Sequence, residues 1–314
     1  LFEVLAITGP IYLLIGLGYA AVRWRVFDAS AMRVLGRFVL MFCLPALLFD
    51  AVSQRRLDEV LNLPYLVAYA AGSVATLFFG LAWARWRRKA PMSMAALQGL
   101  GMANSNSGYV GYPILQQLLG PAAGGPLALT MLVENLLIIP LALALADAGG
   151  QGSVRQAFKQ SVKSLIRNPL VLAIVAGLVF SLATWRLPSP FVRTVSILAA
   201  ASSPLALFVI GGSLVGLQLG GLHGDLVRVA LGKLLLHPLA VFAALALLPP
   251  IDPRLGLGAL VLAAMPMLGI YPVLAQKYHH ERFCAAALLA TTVLSFLSIS
   301  TGLWWLRQHP AWQP

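Results

Sequence analysis

The sequence predicts an all-α polytopic membrane protein of ten transmembrane helices, arranged as two inverted five-helix repeats whose fourth and ninth helices are broken. Three observations carry that prediction. Of 314 residues, 60% are hydrophobic and 10% charged, against about 45–50% and about 25% in a soluble domain. Polar groups are too few to clothe the surface, so lipid must cover it, and a soluble globular enzyme is excluded. Apolar runs of the ~20 residues a bilayer requires recur ten times, at about 4–22, 33–50, 63–84, 93–118, 126–147, 169–185, 194–216, 227–248, 255–278 and 284–306. Finally, short stretches return at one offset. Tyr112-Pro113-Ile114-Leu115 recurs 159 residues later as Tyr271-Pro272-Val273-Leu274, Pro45-Ala46-Leu47-Leu48-Phe49 as Pro204-Leu205-Ala206-Leu207-Phe208, and Gly18 maps onto Gly177. Five spans per half is an odd number, so the second half enters the bilayer from the opposite side.

Span one is not a cleaved signal peptide, because it carries Glu3 near its start and is followed by Arg23 and Arg25 instead of a small-residue cleavage site. A chain that opens on Leu1 reads as trimmed. The connections then alternate in charge. One set carries Arg23, Arg25, Arg33, Arg37, Arg85, Arg87, Arg88, Lys89, Arg155, Lys159, Lys163, Arg167, Arg228, Lys277 and Arg282; the other carries Arg55, Arg56, Arg186, Arg193, Arg254 and Arg307. This fifteen-to-six bias places the first set in the cytoplasm and both termini outside it. It also accounts for most of the net charge of +12 without a nucleic-acid surface. The chain divides into a first repeat at 1–148, a cytoplasmic linker at 149–168 and a second repeat at 169–314. In the linker, Gly149-Gly150-Gln151-Gly152 reads as flexible, and the four-residue spacing from Arg155 to Arg167 makes a basic stripe suited to anionic lipid. Cys43 and Cys284 are isolated from each other and read as packing residues.

Spans four and nine are the interrupted ones. The first holds Gly99, Gly101, Gly108, Gly111 and Pro113, the second Gly256, Gly258, Pro266, Gly269 and Pro272. A mid-helix proline removes a donor and clashes one turn back, at about 3 kcal/mol, so Pro113 and Pro272 are expected to break their helices at matching depth. Two unwound stretches would then lie side by side and offer backbone polar groups to a ligand.

Few side chains inside the spans are polar, and each has two readings. Glu134, beside Asn135 in span five, is either a hydrogen-bonded interhelical acid or a functional group: a proton-coupling carboxylate, or one wall of a cation site with Asn104 and Asn106. Lys233 and His237 share a face of span eight. Either Lys233 snorkels to the interface, or both face the broken segments and attract an anion. Asp50 reads as an interfacial cap. Gln116 and Gln276 follow the two broken segments and belong either to the unwound region or to simple helix-end polarity. Catalytic and metal-binding patterns are absent from the sequence, and adjacent His279 and His280 point to different helix faces. The chain is therefore expected to be no enzyme and to need no metal or organic cofactor.

Asn104-Ser105-Asn106-Ser107-Gly108-Tyr109-Val110-Gly111-Tyr112-Pro113 resembles the Asn-x-Gly-(Tyr/Phe)-x-Gly-x-Pro signature of the auxin efflux carrier family, bacterial relatives of the plant PIN-FORMED carriers, read here as Asn106, Gly108, Tyr109, Gly111 and Pro113. The span count, outside termini and span-nine proline agree with that family over nearly the whole chain, and the short linker resembles its bacterial members. The resemblance implies the fold of the bile acid sodium symporters and sodium/proton antiporters, with a scaffold from spans one, two, six and seven and a transport part from spans three to five and eight to ten. The broken segments would cross, and Asn104, Asn106, Gly108, Tyr109, Gly111, Pro113, Gly269, Tyr271 and Pro272 would hold a small organic anion such as auxin, malonate or another carboxylate. A homodimer in a bacterial inner membrane is implied as well, with coupling to protons or sodium as the open choices. Span nine keeps its break in Met265-Pro266-Met267-Leu268-Gly269-Ile270-Tyr271-Pro272 but has no acidic residue of the kind the bile acid symporters use for sodium. Glu134-Asn135 is similar to the acidic pair of the antiporters, so a cation/proton antiporter is the second reading, and a channel or membrane sensor the third.

Overall fold

A computed structural model of the chain describes residues 2–53, 62–148, 167–216 and 223–308. Arg55 and Arg56 and nearly all of the basic linker lie outside the described residues. Among those described, every regular element is helical, and the one β-type contact is an isolated antiparallel bridge between Ser105 and Met267.

Helix α1 runs over Phe2–Arg23, α2 over Ala29–Ser53 and α3 over Leu63–Arg87. Span four is divided into α4, Met92–Ala103, and α5, Tyr112–Leu119, joined through Asn104–Asn106 and a wide π-type turn at Ser107–Gly111. Helix α6 covers 124–148, with a second π turn beginning at Glu134. Then follow α7, Pro169–Leu182, α8, Ser189–Ser213, and α9, Gly224–Leu247. Span nine is divided into α10, Pro253–Ala263, and α11, Tyr271–Ala275. Helix α12, Glu281–Gln308, closes the described chain.

Among the described residues, six helices are long and apolar enough to cross a membrane, where the sequence expects ten spans. The difference has a physical origin. Expected spans six and nine contain apolar helices of only Pro169–Leu182 and Pro253–Ala263, and the second half of span four continues through a tight turn into span five as one stretch, Ser107–Ala148; the apolar stretch Gly9–Arg23 of span one is part of the longer helix Phe2–Arg23. The breaks also fall earlier than the prolines suggested. Pro113 and Pro272 each occupy the first turn of the half-helix after the break, where a missing N–H costs nothing. The helices stop instead at Ala103 and Ala263.

The buried apolar side chains form two clusters. One joins α1, α2, α7 and α8, with Ile11, Leu44, Ile174 and Leu207, to residues of α5, α6, α10 and α12. The other joins α3, α4, α9 and α12, with Tyr65, Leu97, Val241 and Ala287. Close approach holds α1 to α8, since any Cβ on Gly18 or Gly211 would strike the backbone of Phe208 or Ile15; small residues let membrane helices reach such contact. Cys43 and Cys284 are free and buried in these cores. At one end of the helices, Lys277 Nζ meets Asp147 Oδ1 at 2.6 Å and Arg88 Nε meets Asp225 Oδ1 at 3.1 Å, tying α6 to the turn after α11 and the end of α3 to α9.

Candidate functional site

The two breaks touch. Asn106 N–H donates to Pro266 O at 2.8 Å, beside the Ser105–Met267 bridge, so each unwound stretch satisfies part of the other's backbone. Tyr271 adds a second tie, its hydroxyl donating to Leu97 O in α4 at 2.7 Å. The first break also folds back on itself: Asn106 O accepts from the N–H groups of Val110 and Gly111, each at 3.0 Å.

Glu134 fixes the first break from α6. It is 3% exposed, and its Oε1 accepts from Ser107 Oγ at 2.8 Å, Ser105 N at 3.1 Å and Tyr69 OH at 3.3 Å. Three donors on one oxygen suit a carboxylate, which only accepts. The serines reach it because the chain is unwound there, and α3 supplies Tyr69 from a stacked pair with Tyr65. Tyr65 is held in turn by Thr130 Oγ1 at 2.7 Å and Pro126 O at 3.2 Å.

Above these groups lies a cavity of about 400 Å³. Its floor is Asn104, Ser105, Asn106, Ser107 and Glu134, all buried, and Arg33 and Arg37, one turn apart and exposed, stand among the residues of its rim. Leu44, Met131, Leu268 and Ile270 supply apolar wall. Polar groups over an apolar lining are the usual anatomy of a small-molecule site.

Of the residues singled out in the sequence, Asn104, Asn106, Gly108, Tyr109, Gly269, Glu134 and Asn135 line this cavity. Tyr109 OH donates to Gly36 O at 2.9 Å, and the Asn106 side chain lies 3.6 Å from where a Cβ on Gly269 would stand. The other eight, Gln116 and Gln276 included, are not among the lining residues. Gly111 is pressed against Leu262 and Met265, Pro113 and Tyr271 are buried, and Pro272 is partly buried in the first turn of α11. Lys233 and His237 lie wholly buried beneath the crossing.

Three further placements bear on readings the sequence leaves open. Gln116 and Gln276 are exposed, and their carbonyls accept from Gly120 and His279 at helix ends, so they show helix-end polarity and take no part in the unwound region. Asn135 lines the cavity with Glu134, and its amide donates to Met131 O at 2.9 Å and accepts from Asn168 at 3.1 Å. Lys233 does not snorkel, since its ammonium points inward to Ser105, His237 and Ala263.

Sequence reasoning passed over Ser105, Ser107 and Tyr69. Ser107 stands at a variable position of the motif and Ser105 just before it, and a tyrosine in an apolar span gives no local signal of a partner 65 residues away. Arg33 and Arg37 entered only as markers of sidedness.

A family model described as "Membrane transport protein" matches residues 7–303. The chain is 29% identical over 313 residues to a "Putative malonate transporter" of Rhizobium meliloti (strain 1021), covering 98% of this chain and 97% of that one. It is 24% identical over 306 residues to "Uncharacterized transporter YfdV" of Escherichia coli (strain K12), covering 94% of each. Over 149 residues it is 29% identical to "Probable auxin efflux carrier component 5c" of Oryza sativa subsp. japonica, covering 45% of this chain and 40% of that one.

Proposed function

Because the chain belongs to the family of membrane transport proteins that includes the auxin efflux carriers, we propose that it is a secondary active transporter, moving a small organic anion of the auxin or dicarboxylate kind by alternating access at the crossing of the two breaks. One observation carries this reading: the Asn106–Pro266 backbone contact lies at the floor of a cavity that has arginines at its rim. A transported anion needs donors at the bottom and a favourable potential at the entrance. The amide of Asn106 and the backbone of the first break supply the donors, while Arg33 and Arg37 supply the potential.

In this proposal the ten spans form two inverted repeats, with both termini outside a bacterial inner membrane. The cavity then opens to the cytoplasm, because Arg33 and Arg37 lie on the basic side. Helices α1, α2, α7 and α8 form the scaffold and the contacts of a homodimer, and the remaining helices carry the crossing past them. The Lys277–Asp147 and Arg88–Asp225 pairs tie elements of that second group to each other, as a part that moves as one body requires. Glu134, open to the cavity, is the proton-coupling carboxylate.

The test is uptake by proteoliposomes, with malonate as the first probe because a relative's name mentions it. Asn106→Ala should lower uptake roughly ten- to hundredfold, the loss of one strong hydrogen bond of about 1.5–3 kcal/mol, with expression and thermal stability retained. Unaltered uptake removes the site assignment. Cation/proton exchange is the second reading, favoured by Asn104 Oδ1, a buried acceptor with no donor among the described residues. Cation-driven proton flux with no organic anion present would select it.

A further inference from the structure

Lys233 is 0% exposed, and its ammonium is fully partnered. Nζ donates to Ala263 O at 2.7 Å, Ser105 Oγ at 2.8 Å and His237 Nδ1 at 2.8 Å, three acceptors for three protons. Two of those acceptors belong to the breaks. Ser105 lies in the first, and Ala263 is the last residue of α10, where the carbonyls at a helix C-terminus carry partial negative charge. With Lys233 donating, His237 Nδ1 accepts, so the ring proton belongs on Nε2, which faces Ser73 Oγ of α3 at 2.9 Å.

Glu134 stands on the other side of Ser105. The serine joins the two charges twice, through its backbone N–H to Glu134 and through its hydroxyl to Tyr69, 3.5 Å away, which donates to the same carboxylate. The titratable groups facing Lys233 are therefore His237 from its own helix and, one hydrogen bond further, Tyr69 from α3 and Glu134 from α6. A lone ammonium is costly in such an interior. Here it is balanced by one carboxylate and held by a helix carbonyl, a hydroxyl and an imidazole nitrogen, a donor set that would also suit a small free monovalent cation.

We propose that Lys233 is a tethered cation: its ammonium fills, between the carbonyl end of α10 and Ser105, a position that would otherwise take a small monovalent cation, and so the crossing carries its compensating positive charge without a metal ion. The inference rests on the crossing being the transport site, but the cation position exists whether or not an anion is moved. Removing the side chain leaves Ala263 O, Ser105 Oγ and His237 facing Glu134 around a space the size of the lost ammonium and its stem. The variant should accept a cation that the native protein has no room for.

The experiment compares purified full-length protein with Lys233→Ala by thermal unfolding in methylammonium chloride, sodium chloride or choline chloride at equal ionic strength. The expected result is a Lys233→Ala protein that melts below the native one and rises several degrees in methylammonium or sodium over choline, while the native protein does not respond. The proposal is overturned if neither cation stabilises the variant, or if sodium stabilises the native protein equally. Should Lys233→Ala fail to fold, native proteoliposomes decide: malonate uptake unchanged when choline replaces sodium supports the tethered cation, and uptake that requires sodium overturns it. A protein that takes up no anion but shows the variant-specific cation response would refute the transport reading and leave this one standing.

Discussion

The two breaks occupy corresponding places in the two halves of the chain but are built differently. In the first, Asn104, Ser105, Asn106 and Ser107 bring polar side chains to the cavity, and Glu134 holds the turn through hydrogen bonds from Ser105 and Ser107 while a third, from Tyr69, ties it to α3. In the second, Leu268 and Ile270 bring apolar side chains to the cavity, Met265 and Met267 are buried in the core, and the polar contribution is backbone: Pro266 O to Asn106, Ala263 O to Lys233. The buried charges are unequal too. At the 159-residue offset Glu134 corresponds to Val293, next to Thr292 of the cavity wall, and Lys233 to Val74, next to Ser73. Each half thus supplies one buried charge, and the other half has an uncharged residue at the matching place. In the proposed site this is a division of labour: the first break would recognise the anion with side chains, and the second would close the site with a carbonyl end and an apolar wall.

That comparison predicts large effects on one side and small ones on the other. Glu134→Gln replaces an acceptor of three hydrogen bonds by a group that also donates, so uptake should fall by roughly tenfold or more, on the scale of one or two charge-assisted bonds. Any dependence of uptake on a pH gradient should vanish with it; a variant that keeps the native pH response returns Glu134 to a packing role. Across the crossing, Ile270→Val removes one methylene from the cavity wall. Burial of a methylene contributes about 0.8 kcal/mol, so KM should rise by about fourfold at most with kcat unchanged. A loss on the scale of Glu134→Gln would show that the second break recognises with side chains after all.

Much of this was legible in the sequence because bilayers impose it. Composition forces apolar spans, and paired glycines and prolines at one offset locate two interruptions. Positions within them were less legible. Proline marks where a half-helix can begin as readily as where one must end, so the breaks at Ala103 and Ala263 lie about ten residues before Pro113 and Pro272. The choice between the two readings of Lys233 turns on where its helix begins. With α9 beginning at Gly224 instead of 227, nine residues at 1.5 Å each carry Lys233 roughly 14 Å in from the helix start, too far to snorkel. The partners of Glu134 were hidden because hydrogen bonds across 27 to 65 residues leave no local pattern. Ser105 and Ser107 became visible as a site only once the unwound turn aimed both at one carboxylate.

The most direct test of the central claim, that the crossing is where the anion sits, is substrate protection at Gly269. This residue is exposed to the cavity, and a Cβ there would meet only the Asn106 side chain, at 3.6 Å, so Gly269→Cys should fold; the native Cys43 and Cys284 are buried and give little background. In proteoliposomes that accumulate malonate, a water-soluble maleimide should label the new cysteine, and malonate should slow that labelling in proportion to its occupancy. Labelling at one rate with and without an anion that the same liposomes take up would contradict the account.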